Sequence, residues 1–253
     1  FILFKANIEK LSMNHYYKNS SNQEEQFLSL LYISSVIASL TAMICIATLW
    51  QYWTYILNIC ISIDCGCILY SKYTFRTFAG GNGNLCKFGV YGLVPTAILD
   101  LCLAVYHGYR GYLRKERNAS SRSSNDNSRV TPYQKWMPFV FLAILVSCLS
   151  LSHAIIITDG FSKTCEHYRS MLIQILESTG REAEVIRNRL SCEAIFDFMD
   201  YLQPNETTWN LSKPPNTGTV FQLTLASSWY NFGSWMIAFM LYYIMARKKL
   251  CFF

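Results

Sequence analysis

Charge is scarce in this sequence. Lys, Arg, Asp and Glu make up 15% of its 253 residues, where soluble domains carry about 25%. The apolar residues are gathered into blocks, which argues against an ordinary soluble globule. Arrangements that carry chemistry are also missing. The sequence shows no nucleophile–base constellation, no phosphate-binding glycine loop and no metal cluster. Its one Gly-rich stretch, "AGGNGN" (Ala79–Asn84), precedes an apolar block and reads as a flexible turn. Zinc wants four ligands with short paired spacing. Cys65 and Cys67, followed only by distant single cysteines, do not supply that. The expectation is a non-enzymatic protein with no cofactor and no nucleic-acid partner. The chain opens on Phe1 rather than Met, which leaves its true N-terminus open.

What is present is apolar length. A transmembrane helix needs about 20 consecutive apolar residues, and four stretches qualify. The first, 27–63, carries no charge and neither Gly nor Pro. It is too long for one upright helix, so a helix over most of 28–52 is expected, with "WTYILNICISI" continuing it or lying at the interface. A five-span reading is the alternative. The run also far exceeds the apolar core of a signal peptide. The other spans are 88–109, interrupted by Asp100 and His107, then 136–157 and 220–245. The fold class expected is an all-α integral membrane protein. It would be a four-transmembrane-helix bundle with a small disulfide-stapled helical outer loop.

Basic residues set the orientation. Segment 110–135 holds Arg110, Arg114, Lys115, Arg117, Arg122, Arg129 and Lys135 against Glu116 and Asp126. The tail 246–253 holds Arg247, Lys248 and Lys249. Both are expected in the cytoplasm, as is the N-terminal segment 1–26. Loop 64–87 and the long loop 158–219, where acidic residues outnumber basic ones, then face outside. The sequons at Asn205 and Asn210 lie in that long loop and are expected to be glycosylated. The membrane is the plasma membrane or an endomembrane.

Topology sorts the cysteines. Cys45, Cys60, Cys102 and Cys148 sit in or beside spans and read as small buried residues. Cys251, beside the basic tail, is a candidate for lipidation, against an inert thiol. Cys65, Cys67, Cys86, Cys165 and Cys192 are placed outside, where oxidation favours disulfides. Cys165 and Cys192 are expected to pair within the long loop. Cys86 can pair with only one of Cys65 and Cys67. Around Cys165, Tyr168, Met171, Leu172, Ile175 and Leu176 follow helical spacing. "TGRE" (Thr179–Glu182) reads as the capping box of a second helix. A disulfide from Cys165 to Cys192 would close these into a helical hairpin, either a cover for the bundle or a partner-binding surface.

Two spans carry polar residues that need an explanation. Asp100 at a helix centre costs about 2.5 to 3.5 kcal/mol on insertion scales. It therefore wants a partner, a water cavity or a proton. His107 lies two turns on, and His153 in the third span is a candidate partner. Asp100, His107 and His153 form a candidate intramembrane polar site. Arg110 reads as a snorkelling anchor. In the last span Ser227, Ser228, Gly233 and Ser234 favour close helix packing. Trp229 and Trp235 suit the outer interface, and Tyr242 and Tyr243 the inner one.

Several short motifs, read in order, resemble the transmembrane protein 179 family, its B-type members above all. They are Cys67-Ile-Leu69-Tyr70, Cys86-Lys-Phe88, His107 with Arg110, Cys165, Ser191-Cys192-Glu193, Ser227-Ser228-Trp229-Tyr-Asn231 and Trp235. The resemblance spans about residues 60 to 245. The long N-terminal segment, Cys65, Asp100 and the long second loop depart from the pattern. The resemblance implies that Cys67 is the partner of Cys86, leaving Cys65 as a free thiol or an intermolecular link. It implies architecture more than activity. The function expected is an accessory or organising subunit that sits in the lipid bilayer and binds another membrane protein. The alternative is an ion or proton channel or transporter subunit using Asp100.

Overall fold

The computed structural model describes residues 2–58, 60, 65–74, 77–120, 132–202 and 215–248, with side chains described over 24–58, 60, 65–73, 78–113, 136–201 and 215–247. In chain order these form α1 (Ile2–Leu57), β1 (Cys67–Thr74), β2 (Thr77–Gly81), α2 (Gly83–Tyr91), α3 (Val94–Ser120), α4 (Pro132–Ile175), α5 (Arg181–Asn188), α6 (Cys192–Leu202) and α7 (Thr217–Lys248). The described residues are all-α apart from one two-stranded hairpin. Three stretches of helix are long and apolar enough to cross a membrane: Glu24–Leu57, Gly83–Leu113 and Trp136–Ile175. Such helices are compatible with an integral membrane protein. α7 is long enough, at 32 residues, but Thr, Ser, Asn and Gln dilute its apolar content.

The described residues fall into two units. The first holds 1–37, 96–144 and 234–253. Its interior is built by Leu28 and Tyr32 of α1, Leu103 and Ala104 of α3, Trp136 and Ala143 of α4, and Trp235, Ala238 and Tyr242 of α7. The same helices turn large apolar side chains outward, among them Leu30, Ile37, Leu101, Val105, Phe141 and Met240. A helix apolar on both its inner and outer faces is compatible with a lipid environment. Small residues bring α1 and α3 together. Ser29 donates to the Ala104 carbonyl at 3.0 Å, and a Cβ on Gly108 would stand 3.1 Å from Ser29 Oγ.

The second unit holds 38–95 and 145–233. Its core joins Ile46, Leu49, Trp53 and Leu57 of α1 to Ile68 and Leu69 of β1, Ile157, Tyr168 and Leu172 of α4, Ile195, Phe196 and Met199 of α6, and Phe221 of α7. α6 is amphipathic, burying Ile195, Phe196 and Met199 on one face. Phe161, Phe196 and Phe221 pack as three rings with centroids 5.2 to 5.4 Å apart.

The hairpin replaces the expected flexible turn. β1 and β2 are antiparallel, with Cys67 opposite Gly81, Lys72 opposite Ala79 and Tyr73 opposite Phe78. Between the first two of these pairs β1 advances five residues (72 − 67) and β2 only two (81 − 79), so β1 bulges. Ser71 closes the bulge by donating to the Ile68 carbonyl at 2.7 Å. Tyr70 takes a left-handed φ of 58° there. Its hydroxyl is hydrogen-bonded to Asp159, and burial, with that carboxylate beside it, pushes the phenol up to about 12. The glycines of "AGGNGN" serve close approach rather than flexibility. A Cβ on Gly80 would collide with the Cys65 carbonyl, and one on Gly81 with that of Leu69. Asn82 then caps α2, its side chain accepting from the Asn84 N–H at 2.9 Å.

Two helices differ from the sequence expectation. The second span breaks at Gly92–Leu93, where Pro95 removes a helical donor. The third does not stop near 157. α4 runs unbroken to Ile175, so the amphipathic segment around Cys165 is its continuation rather than a separate loop helix. Gly160, the small residue on the way, seats α4 against Leu69 and Tyr70 without interrupting it. Nor does Thr179 cap α5. Gly180 occupies the N-cap and no side chain completes the cap. α6 follows as a further helix the sequence did not reveal.

Candidate functional site

The second unit is stapled by three disulfides. Cys67 joins Cys86, Cys165 joins Cys192, and Cys60 joins Cys65. The last corrects the view of Cys60 as a buried span residue and Cys65 as a spare thiol. α1 ends at Leu57, so Cys60 lies beyond the helix, exposed and within reach of Cys65. Cys165 ties the body of α4 to the first residue of α6, so the staple closes a helical arm and not a two-helix hairpin. Cys102 and Cys148 are free and exposed on helix faces, not buried; Cys45 is partly buried. Asn205, Asn210 and Cys251 lie outside the described residues.

In this unit Asp200 anchors the start of α7. The Thr217 backbone N–H and hydroxyl donate to its two oxygens at 2.7 and 2.6 Å. Burial raises the Asp200 carboxyl above its usual range, opposed by these two bonds. Asn231 donates to Ser39 and accepts from Ser150 at 3.4 Å, linking three helices. His153 is fully buried and donates Nε2 to the Gly89 carbonyl at 2.9 Å. Its Nδ1 has no partner.

Asp100, expected to pair with His153, instead accepts from Ser35 of α1 at 2.8 Å. A small hydroxyl inside an apolar run meets the carboxyl, a partner that no charge pattern would indicate. The Trp235 indole interacts with the same carboxyl, though neither Trp235 Nε1 nor Asp100 Oδ1 completes a hydrogen bond. Trp235 is thus an interior residue, 1% exposed, and not an interfacial anchor. Tyr242 is equally buried. Gly233 has open space where a Cβ would be, so it mediates no close packing.

His107 is the centre of the densest polar group. Its Nδ1 stands 2.6 Å from Glu25 Oε2, and its Nε2 2.8 Å from the Tyr242 hydroxyl. That hydroxyl lies 2.8 Å from the one on Tyr32. Arg110 reaches the other Glu25 oxygen at 3.5 Å, bonds the Tyr106 hydroxyl at 3.0 Å and stacks over Tyr106 and Trp136. It therefore pairs as well as anchors. Phe139 and Trp136 of α4 wall the group. Sequence reasoning missed Glu25, Tyr32 and Tyr242. The available signal was the seven-residue spacing of Glu25 and Tyr32, which puts both on the face of α1 that meets His107.

Among the described residues, no three His, Cys, Asp or Glu side chains are grouped to hold a metal. No protein-family model, curated protein or solved structure matches the chain.

Proposed function

We propose that this is a multi-pass membrane protein that acts without catalysis, as an accessory or organising subunit for another membrane protein. The observation that carries it is the outer arm. Leu176 at the end of α4, Val185 of α5, and Phe198 and Tyr201 of α6 are exposed, Tyr201 by 81%. Exposed large apolar groups on a disulfide-held module mark a contact surface. The proposal includes four spans, α7 being the fourth. It faces Ile237, Met240 and Ile244 outward while burying Trp235 and Tyr242. With four spans, the basic segments put both termini in the cytoplasm and Asn205 and Asn210 outside as glycosylation sites. The order of short motifs supports kinship with the transmembrane protein 179 family.

Affinity purification of the full chain in mild detergent tests this. The expected result is a stoichiometric membrane protein that is lost from a Phe198→Glu, Tyr201→Glu double variant. Recovery of the chain alone would overturn the reading.

A second reading is an ion or proton carrier using Asp100. It is favoured by the complete burial of that carboxyl, with one oxygen unpartnered. Asp100→Asn should then abolish flux into liposomes holding the purified chain. Unchanged flux, or none in the parent, would exclude Asp100 as the carrier.

A further inference from the structure

We propose that Glu25, His107, Tyr242 and Tyr32 form a proton-binding relay inside the helical bundle, with His107 as the group that takes the proton. The inference rests on neither reading above, and it does not require Asp100.

The four side chains make one continuous string. Its links are 2.6 Å from Glu25 to His107, 2.8 Å from His107 to Tyr242 and 2.8 Å from Tyr242 to Tyr32. His107 is 0% exposed, Tyr32 and Tyr242 1%, and Glu25 2%. Every hydrogen bond that His107 can make is therefore made within the string. Among the described side chains, Asp100, Tyr106 and Arg110 of α3 also bear on it. Among its described side chains, α4 contributes uncharged Trp136 and Phe139.

The same heavy atoms accommodate two proton counts. With His107 neutral, Nδ1–H donates to the Glu25 carboxylate and Nε2 accepts from Tyr242. The Tyr242 oxygen accepts in turn from Tyr32. One added proton forms an N–H bond at Nε2, and the imidazolium then donates at both ends. The Tyr242 hydrogen swings to the Tyr32 oxygen, and the Tyr32 hydrogen rotates off Tyr242. No other covalent bond changes, and the site gains one positive charge. Glu25 already faces that charge on one oxygen and Arg110 on the other. Neutral imidazole donates at one nitrogen and accepts at the other, and gains a proton without losing either contact, so it suits the centre of such a string. Arg110, with a side chain 31% exposed, marks the end of the group nearest to solvent.

A His107–Glu25 contact that did not extend into the tyrosines would bind its proton independently of Tyr242 and Tyr32. The chain has four histidines, so ¹⁵N-histidine labelling of the full chain in phosphatidylcholine nanodiscs separates the cases. Single His→Gln variants at the other three positions assign the signals. The titration runs from about pH 4 to about pH 10, which crosses ordinary carboxyl and imidazole values. The expected result is that the His107 nitrogens move from the neutral, Nδ1-protonated pattern to the imidazolium pattern as pH falls. Tyr242→Phe, which keeps the ring and removes the hydroxyl, should change the proton affinity of His107 at least threefold. Should Tyr242→Phe fail to fold, Tyr32→Phe should change it in the same sense by a smaller factor. A His107 signal that holds one pattern throughout would overturn the proposal. So would a transition unaffected by either tyrosine variant.

Discussion

Thr217 grips Asp200 with both of its donors, the backbone N–H at 2.7 Å and the hydroxyl at 2.6 Å. The same hydroxyl accepts from the Trp53 indole at 2.9 Å. One buried threonine thus joins the end of α1, α6 and the start of α7.

Removing the carboxylate should loosen that junction. Asp200→Ala strips the acceptor from a fully buried Thr217 and leaves a helix-start N–H unpaired. Such a loss costs about 1 to 3 kcal/mol. The expected outcome is faster cleavage of the disulfide-held arm by protease in detergent, with the disulfide map unchanged. Cleavage at the parent rate would mean that the junction is held by packing alone.

The pH dependence follows from the direction of the Asp200 shift. Burial raises its carboxyl, so the folded chain holds this proton more tightly than the unfolded chain. The contribution to stability is complete below the ordinary Asp value of about 3.9. It is lost as pH rises through the raised folded value. The protein should therefore gain stability from Asp200 on moving from neutral to mildly acid pH. Subtracting the unfolding curves of Asp200→Asn should isolate this share. A parent and variant with identical pH slopes would contradict it.

Gly80→Ala should disrupt the hairpin. The new methyl would meet the Cys65 carbonyl in a place where only backbone can move. Overpacking of this kind costs about 1 to 3 kcal/mol. Non-reducing peptide mapping is expected to show scrambled pairing among Cys60, Cys65, Cys67 and Cys86. A native map with native yield would show that the strands can part without penalty.

Cys60→Ser should release one thiol. Cys65 loses its partner, while Cys67–Cys86 and Cys165–Cys192 stay closed. Mass tagging of the denatured, unreduced chain should count one thiol more than in the parent. An unchanged count would place Cys65 in a different bond.

The sequence made the long helices legible because apolar length is a local property. It also carried the Cys165–Cys192 pairing, since both cysteines lie in one acidic loop segment. The hairpin was hidden by its own glycines. Gly80 and Gly81 look like a flexible turn, and only the opposing carbonyls of Cys65 and Leu69 show why a side chain is excluded. The continuation of α4 was missed because topology suggested a stop at the membrane surface; no proline stands between Ile157 and Cys165, and Gly160 is used for close approach to Leu69 rather than to end the helix. The polar string around His107 was half visible. His107 and Arg110 share a face by spacing, but Glu25 and Tyr242 lie 82 and 135 residues away. Only the meeting of three helices brings them together.

The unbroken course of α4 has a mechanical consequence. The stretch Trp136–Ile175 is 40 residues, about 60 Å at 1.5 Å per residue, while the hydrocarbon layer is about 30 Å thick. In the proposed membrane arrangement roughly half of this rod would stand clear of the lipid core with no swivel at its exit, and Cys165 fastens α6 to it. A force applied to the arm cannot be absorbed at a joint. It arrives as torque on the helix itself, turning Ile157 and His153 against their neighbours.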